Sequence, residues 1–159
     1  MDILWAPWRM EYIQSAKERG CIFCSKPMEQ DDKKNLIVWR GQVSFVMMNF
    51  YPYNNGHLMV IPFRHIADIA ELNSAERLEL MDLLATCKDV LQRIMSPHGF
   101  NIGMNLGEVA GAGVKDHLHF HIVPRWNGDT NFMPILGHTK VVSEGLFETW
   151  EKLQHVFSR

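Results

Sequence analysis

The chain lacks several features that would point to particular classes of protein. No apolar run approaches the roughly 20 residues of a membrane-spanning helix, and the first nine residues show no cationic stretch followed by an apolar one, so no signal peptide is predicted. Sixteen Lys and Arg stand against 18 Asp and Glu, a net charge of -2 that argues against binding long nucleic acid through bulk electrostatics. Only three cysteines occur, which fits a reduced cytoplasmic protein better than a disulfide scaffold.

The sequence does contain enough apolar material for one folded unit. It has 159 residues, of which 47% are apolar and 21% charged, and these values are ordinary for a globular domain. Neither a repeat nor a linker divides the chain. We therefore predict a single domain over 1–159, consisting of an N-terminal arm (1–20), a core (21–126) and a C-terminal extension with a helix (127–159).

The spacing of apolar residues predicts several strands and one long helix between them. Short or alternating apolar runs predict strands at 36–40, 43–48, 57–61, 100–106 and 117–123. Apolar residues three and four apart predict a helix over 74–95, with Asn73 and Glu76 at its start, and a second helix from about 144 to 157. Because no strand–helix–strand rhythm runs through the chain, the predicted fold class is α+β with a mostly antiparallel five-stranded sheet.

The most informative segment carries His117, His119 and His121 at alternate positions. On a strand these three side chains share one face, and the apolar residues between them share the other. Imidazole can act as a nucleophile, a general acid or a metal ligand near neutral pH. The row therefore predicts a chemical site, and the residues alone leave open whether it binds metal or attacks phosphorus.

Cys21 and Cys24 have the spacing of half a zinc site. His57, His65 and the histidine row are candidates for the other two ligands, and a closed site of two Cys and two His would be structural. A redox role is the weaker alternative, because such pairs lie between a strand and a helix of a βαβ unit, which is not predicted here. Cys87 is expected to be a buried core thiol. For His57, a role in packing or hydrogen bonding and a role in the site are equally favoured.

These motifs resemble the histidine triad (HIT) family. The resemblance covers roughly residues 21–126 and rests on three stretches and one residue: Cys21–Cys24, Asn55–His65, His117–Val123 and Asn105. A narrower group, the zinc-containing bacterial diadenosine tetraphosphate phosphorylases near the fragile-histidine-triad branch, is similar in three further stretches: Trp5–Arg9, Pro124–Trp126 and Asn131–Pro134.

The resemblance implies a homodimer with a HIT-like fold, acting on a small-molecule nucleotide, that cleaves dinucleoside polyphosphates such as diadenosine tetraphosphate. By motif position His119 would attack the α-phosphorus and form a nucleotidyl-histidine, and His121 would contact the phosphate or the leaving-group oxygen. The ligands of a structural zinc would be Cys21, Cys24, His65 and His117. The nucleotide-binding residues would be Asn49, Asn105, Gly111, Gly113, Val114, His119 and His121.

Two departures from the family pattern affect the predicted site. Gly111–Val114 replaces a Gly-Gln-Ser-Val stretch, so only backbone N–H groups are expected to bind phosphate there. Asn55 stands where a proline is usual, with little expected consequence.

The alternatives are a phosphoramidate or other nucleotide hydrolase, a zinc hydrolase with His117 or His119 on a catalytic metal, and a non-catalytic nucleotide-binding module. The acceptor (phosphate or water), the length of the polyphosphate and the base preference are left open.

Overall fold

The structure, a computed structural model, describes residues 20–129 and 144–158. The predicted N-terminal arm, except Gly20, and the Asn131–Pro134 stretch lie outside the described residues. The described elements in chain order are α1 (Ile22–Met28), β1 (Ile37–Arg40), β2 (Ser44–Met48), β3 (Leu58–Pro62), a 3-10 turn (Ile69–Glu71), α2 (Ser74–Met95), β4 (Gly99–Met104), β5 (Phe120–Arg125) and α3 (Leu146–Phe157).

The five strands form one antiparallel sheet in the order β1-β2-β3-β5-β4, which confirms the predicted α+β fold class. β2 and β3 pair along their whole length, from Ser44 opposite Pro62 to Met48 opposite Leu58. β3 then pairs with β5, and β5 with β4 at the edge of the sheet. The bounds of the first four strands lie within two residues of the prediction.

The predicted strand 117–123 is displaced, because β5 begins at Phe120. The ladder between β3 and β5 covers Leu58–Val60, and Pro62, at the end of β3, has no N–H with which to extend it. Ahead of Phe120 the chain bonds outside the ladder instead, with the N–H of Leu118 donating to the carbonyl oxygen of Ile66 at 2.6 Å. His117 and His119 therefore lie in the connection that leads into β5, and the prediction of a single histidine strand was wrong for these two residues.

The sheet is buried on both faces, because its central strands β2 and β3 are buried throughout and their successive side chains point to opposite sides. On one side, which we call the helical face, α2 and α3 pack on an apolar cluster that includes Val46, Val60, Leu91 and Leu153. On the other side, the α1 face, a smaller cluster packs around the helix α1: Phe23, Ile37, Phe45, Met47, Met59 and Ile61.

The helix α2 has the predicted bounds, and its start is fixed by a reciprocal cap. Asn73 Oδ1 accepts the N–H of Glu76 at 2.9 Å, and Glu76 Oε2 accepts the N–H of Asn73 at the same distance. Arg64 donates to the same carboxylate at 2.7 Å, and this hydrogen bond lowers the pKa of Glu76 below its ordinary value. Cys87 lies fully buried on the helical face, as predicted, and burial raises the pKa of its thiol.

The short helix α1 was missed by the sequence reasoning, which expected only a loop and a hairpin after the cysteine pair. Cys21 is its N-cap residue, and the N–H of Ser25 donates to the carbonyl oxygen of Cys21 at 3.0 Å. Helix formation places Cys24 one turn after Cys21, so both thiols lie on the same side. None of the helices in the described ranges is long and apolar enough to cross a membrane.

Candidate active site and metal centre

Four histidines gather on the α1 face. His57 immediately precedes β3, His117 and His119 lie in the connection before β5, and His121 lies in β5 opposite Met59. The alternation predicted from the sequence holds, since Leu118, Phe120 and Ile122 belong to the cluster of the helical face. Three of the imidazoles are almost fully buried, with exposed fractions of 1% for His57 and His117 and 5% for His119.

Two cysteines and two histidines form a compact set of metal-binding atoms. The side chains of Cys21, Cys24, His65 and His117 offer one ligand atom each, and these atoms all lie within 4.8 Å of one another. His117 Nδ1 lies 3.2 Å from Cys21 Sγ, 3.5 Å from Cys24 Sγ and 3.2 Å from His65 Nδ1. Ligands placed tetrahedrally about zinc are roughly 3.3–3.8 Å apart, so the three distances from His117 are close to that spacing, and two thiols with two imidazoles suit zinc in their chemistry.

The tautomer of His117 also suits metal binding. Its Nε2 lies 2.9 Å from the carbonyl oxygen of Pro62, and since a carbonyl oxygen can only accept, Nε2 carries the proton. The lone pair is therefore on Nδ1, the atom that faces the two thiols and His65. Burial lowers the pKa of His117, which favours the neutral ring that a metal requires.

His119 is held in the opposite tautomer. Its Nδ1 lies 2.8 Å from the carbonyl oxygen of His117, so Nδ1 carries the proton and donates it to that oxygen. Its Nε2 consequently keeps a lone pair. Burial lowers the pKa of His119, so this ring is neutral over a wider range of pH than an exposed histidine. His119 is not among the four clustered ligands. Its ring packs at a tilt against Phe23 and nearly perpendicular to His121, with centroids 4.9 Å apart in each case.

His57 and His121 form a hydrogen-bonded pair with a fixed direction. The backbone N–H of Tyr53 donates to His57 Nδ1 at 3.1 Å, so that nitrogen is the acceptor and the proton of the ring is on Nε2. His57 Nε2 lies 2.9 Å from His121 Nδ1 and donates to it. His121 Nδ1 is thus an acceptor as well, which leaves the N–H of the neutral ring on Nε2. His57 therefore has the hydrogen-bonding role that the sequence left open, with His121 of the histidine row as its partner.

Apart from His119 and His121, the predicted nucleotide-binding residues lie in two loops. In the glycine-rich loop a methyl group added at Gly111, where φ is +90°, would lie 3.9 Å from Asn105 Nδ2, so these two residues are neighbours. The N–H groups of Gly111 and Ala112 already donate to Glu108 and Gly107 within the loop. This narrows the expected phosphate-binding amides to those of Gly113 and Val114, and Val114 packs against the cluster of the α1 face.

Asn49, in the loop between β2 and β3, lies beside the histidine pair. Its Oδ1 accepts the N–H of Tyr51 at 2.9 Å, and its Nδ2 lies 3.4 Å from His57 Nδ1. The ring of Tyr53 packs at a tilt of 34° against His57, with centroids 4.7 Å apart, and its centroid lies 5.9 Å from that of His121. These contacts could not be predicted from the sequence, because they depend on how the loop from 49 to 57 folds back on itself.

Comparison with known proteins gives matches to a family model, to curated relatives and to solved structures. The model of the HIT domain matches residues 30–128. The AP-4-A phosphorylase of Mycobacterium tuberculosis is 38% identical over 98% of this chain and 84% of its own, and the adenosine 5'-monophosphoramidase hnt1 of Schizosaccharomyces pombe is 33% identical over 68% and 76%. The crystal structure of a Zn-bound histidine triad family protein from Mycobacterium smegmatis shares the fold, with a TM-score of 0.71, 21% identity and coverage of 87% and 94%.

Proposed function

This chain belongs to the HIT domain family, and from that premise we propose that it cleaves dinucleoside polyphosphates of the diadenosine tetraphosphate type through a nucleotidyl-histidine on His119. Its enzyme class is that of a HIT-type nucleotide phosphorylase or hydrolase. The similarity to the AP-4-A phosphorylase extends over nearly the whole chain, which favours a dinucleoside polyphosphate as the substrate class.

The observation that carries the mechanism is the tautomer of His119. A nucleophilic imidazole needs an unprotonated nitrogen and a partner that holds the proton on the other one. The carbonyl oxygen of His117 is that partner, since it accepts from Nδ1 at 2.8 Å. Nε2 of His119 is thereby ready to attack without first losing a proton.

The proposed reaction has two balanced displacements at phosphorus. In the first, His119 Nε2 forms a bond to the α-phosphorus as the bond to the bridging oxygen breaks, and the electron pair leaves on the departing nucleotide. The Nε2–H of His121 donates to that oxygen and stabilises its developing charge. In the second, an oxygen of phosphate or water bonds to the same phosphorus, the P–N bond breaks, and its electron pair returns to His119; when water is the acceptor, the proton it loses passes to solvent.

The remaining site residues are proposed as nucleotide ligands. Asn49 contacts the ribose, Asn105 donates to the α-phosphate, and the amides of Gly113 and Val114 bind phosphate oxygens. Gly111 contributes by leaving space beside Asn105, where a side chain would obstruct the approach of a phosphate.

We propose zinc as the resident metal, held by Cys21, Cys24, His65 and His117. Zinc supplies structural cross-linking there, because all four ligands come from the protein. The site ties α1 to the connection before β5. His117 thereby stays in place, and so does the carbonyl oxygen that orients His119.

Assembly and location are further parts of the proposal. In the described ranges the edge strand β4 pairs only with β5 and exposes Ile102 by 50%, so this edge suits pairing with a second copy of the chain in a homodimer. Three free cysteines, two of them in the metal cluster, favour a reducing cytoplasm. The division into arm, core and extension is retained as a proposal.

The experiment that tests the function is incubation of the zinc-loaded protein with diadenosine tetraphosphate, with and without phosphate. ADP plus ATP formed only with phosphate identifies phosphorolysis, whereas AMP plus ATP or two ADP identifies hydrolysis. Intact-mass analysis of a quenched reaction is expected to show the chain with one added AMP group. Cleavage of adenosine 5'-phosphoramidate alone would replace this proposal with the monophosphoramidase activity suggested by the 33% identical relative.

Two results would argue against any covalent role of His119. Tight binding of AMP without turnover would indicate a nucleotide-binding module. Loss of activity on mild chelation, with the fold intact, would indicate a metal hydrolase.

A further inference from the structure

The loop from Asn49 to His57 determines how His57 meets His121. The N–H of Asn49 donates to the carbonyl oxygen of His57 at 3.0 Å, and the N–H of His57 donates to that of Asn54 at 3.2 Å. The same turn directs the N–H of Tyr53 at His57 Nδ1. A change in the turn at Tyr53 and Asn54 would therefore release the constraint that keeps the proton of His57 on the nitrogen facing His121.

The turn is secured by a side chain that is itself buried. Asn54 is 9% exposed, and its Nδ2 uses both protons: one goes to the carbonyl oxygen of Pro124 at 3.1 Å and the other to Asp129 Oδ2 at 2.8 Å. Pro124 lies in β5, three residues after His121. Asn54 thus connects the loop that carries His57 to the strand that carries His121.

Asp129 is in turn fixed by several donors. Oδ2 accepts from Arg125 Nε at 2.6 Å and from the N–H of Trp126 at 3.1 Å, and Oδ1 accepts from Arg125 Nη2 at 2.9 Å. Arg125 also donates to Asn101 Oδ1 in β4 at 2.7 Å. The carboxylate is therefore held against the ends of β4 and β5, with one oxygen directed at Asn54.

We propose that Asn54 and Asp129 are positioning residues for the histidine pair, and that their hydrogen bond sets the tautomer and orientation of His121 through Tyr53 and His57. The inference rests on the proposed function, because it assigns the N–H of His121 to the leaving group. Neither residue needs to touch the substrate. Asp129 lies after the end of β5, and it affects the chemistry only through the hydrogen bond that it accepts from Asn54 in the loop from 49 to 57.

The experiment compares N54A and D129A with D32A as the matched control. Asp32 pairs with Arg40 in a similar fork, with 2.6 Å between Oδ1 and Nη2, and anchors β1 away from the histidines. For N54A and D129A we expect kcat to fall about tenfold and KM to change less than about threefold. The kcat of the double variant should fall no further than that of either single variant, because each substitution removes the same hydrogen bond. D32A should keep its kcat.

A spectroscopic readout separates positioning from general destabilisation. Nitrogen-15 NMR of the ring nitrogens is expected to show one tautomer each for His57 and His121 in the parent protein and mixed tautomers in N54A and D129A, with zinc content unchanged. D129N keeps an acceptor oxygen for Asn54, so its kcat and the population of the parent tautomer should be higher than in D129A. If D129A fails to fold, D129N serves as the test.

The inference is overturned if His57 and His121 each keep a single tautomer in N54A, or if the kcat of N54A stays within twofold of the parent value. It is also overturned if the kcat of D32A falls as much as that of N54A. A parent protein that cleaves no dinucleotide would refute the proposed function, while the tautomers would still test the positioning role.

Discussion

Burial has different consequences on the two faces of the sheet. On the helical face α2 and α3 cover a cluster of apolar side chains that includes the thiol of Cys87. On the α1 face the buried side chains include His57, His117 and His119, each held by a backbone carbonyl or N–H group. Apolar burial stabilises the fold without directing chemistry, whereas a buried imidazole has to be hydrogen-bonded and is thereby oriented.

This comparison predicts a separation of effects. Substitutions on the helical face should lower stability and leave the chemistry of each folded molecule unchanged. Substitutions of the histidines and cysteines on the α1 face should change activity or metal content by more than the accompanying loss of stability can explain.

The largest expected effect is that of His119→Ala. Loss of the nucleophile should lower turnover of diadenosine tetraphosphate more than about a thousandfold, while zinc content and circular dichroism stay at the parent level. The exposed His155 in α3 provides the control, since His155→Ala should turn over normally. Turnover near the parent level in the His119 variant would remove this residue from the mechanism.

The next effect is expected for Cys24→Ser. A serine oxygen is a poor zinc ligand beside Cys21, His65 and His117, so the variant should lose most of its metal and its Tm should fall by more than about 5 °C. Metal analysis and thermal unfolding measure the two consequences. Cys87→Ala is the control for removal of a thiol and should keep its zinc. A Cys24 variant that binds metal as tightly as the parent would contradict the assigned ligand set.

On the helical face, Leu91→Ala should destabilise the fold by about 2–5 kcal/mol, because Leu91 is fully buried and its removal leaves a cavity. Denaturant unfolding measures the loss, and kcat per folded molecule is expected to stay within twofold. A large fall in kcat without a change in stability would show that the two faces are coupled more closely than their packing indicates.

The smallest expected effect is a pH-dependent difference in the free energy of unfolding between Glu76→Gln and the parent protein. The hydrogen bond from Arg64 lowers the pKa of Glu76 in the folded state, so its contribution to stability is complete above the ordinary carboxyl pKa and disappears as the pH falls through the lowered value. The parent should therefore exceed the variant in stability at pH 7, and the two should converge in acid. Unfolding curves from pH 7 to pH 3 give the comparison, and a difference that persists in acid would rule out the ion pair as its cause.

Much of the fold could be predicted because its signals are local. The helix α2 was predicted with its bounds, since its apolar spacing and the cap formed by Asn73 and Glu76 all lie within the segment itself. The start of β5 was misplaced because it depends on Pro62 in another strand, whose missing N–H ends the ladder. The helix α1 has only seven residues and includes Pro27, so neither periodicity nor propensity marks it.

Part of the candidate site could likewise be predicted from the sequence, and part of it could not. Residue types and motif positions were sufficient to select Cys21, Cys24, His65 and His117, which the fold brings together. The connection of Asn54 to Asp129 could not be predicted, because it joins residues 75 positions apart through side chains common on any surface. Asn55, expected to matter little, accepts the N–H of Gly56 at 3.1 Å through its Oδ1, which also lies 3.3 Å from the hydroxyl oxygen of Thr149 in α3.

The sequence by itself determined which chemical groups are present and that the histidines of the row face away from the apolar residues between them, because the alternation of side chains is a property of the local backbone. Only the tertiary structure decided which nitrogen of each imidazole holds a proton. That choice is made by the carbonyl of Pro62 for His117 and by the fold of the loop from 49 to 57 for His57 and His121. A tautomer is fixed by whatever partner the fold brings within hydrogen-bonding distance. The partners of His117 and His121 lie 55 and 64 positions away along the chain, and those of His119 and His57 lie within four residues but are aimed by the fold of the connection before β5 and of the loop from 49 to 57.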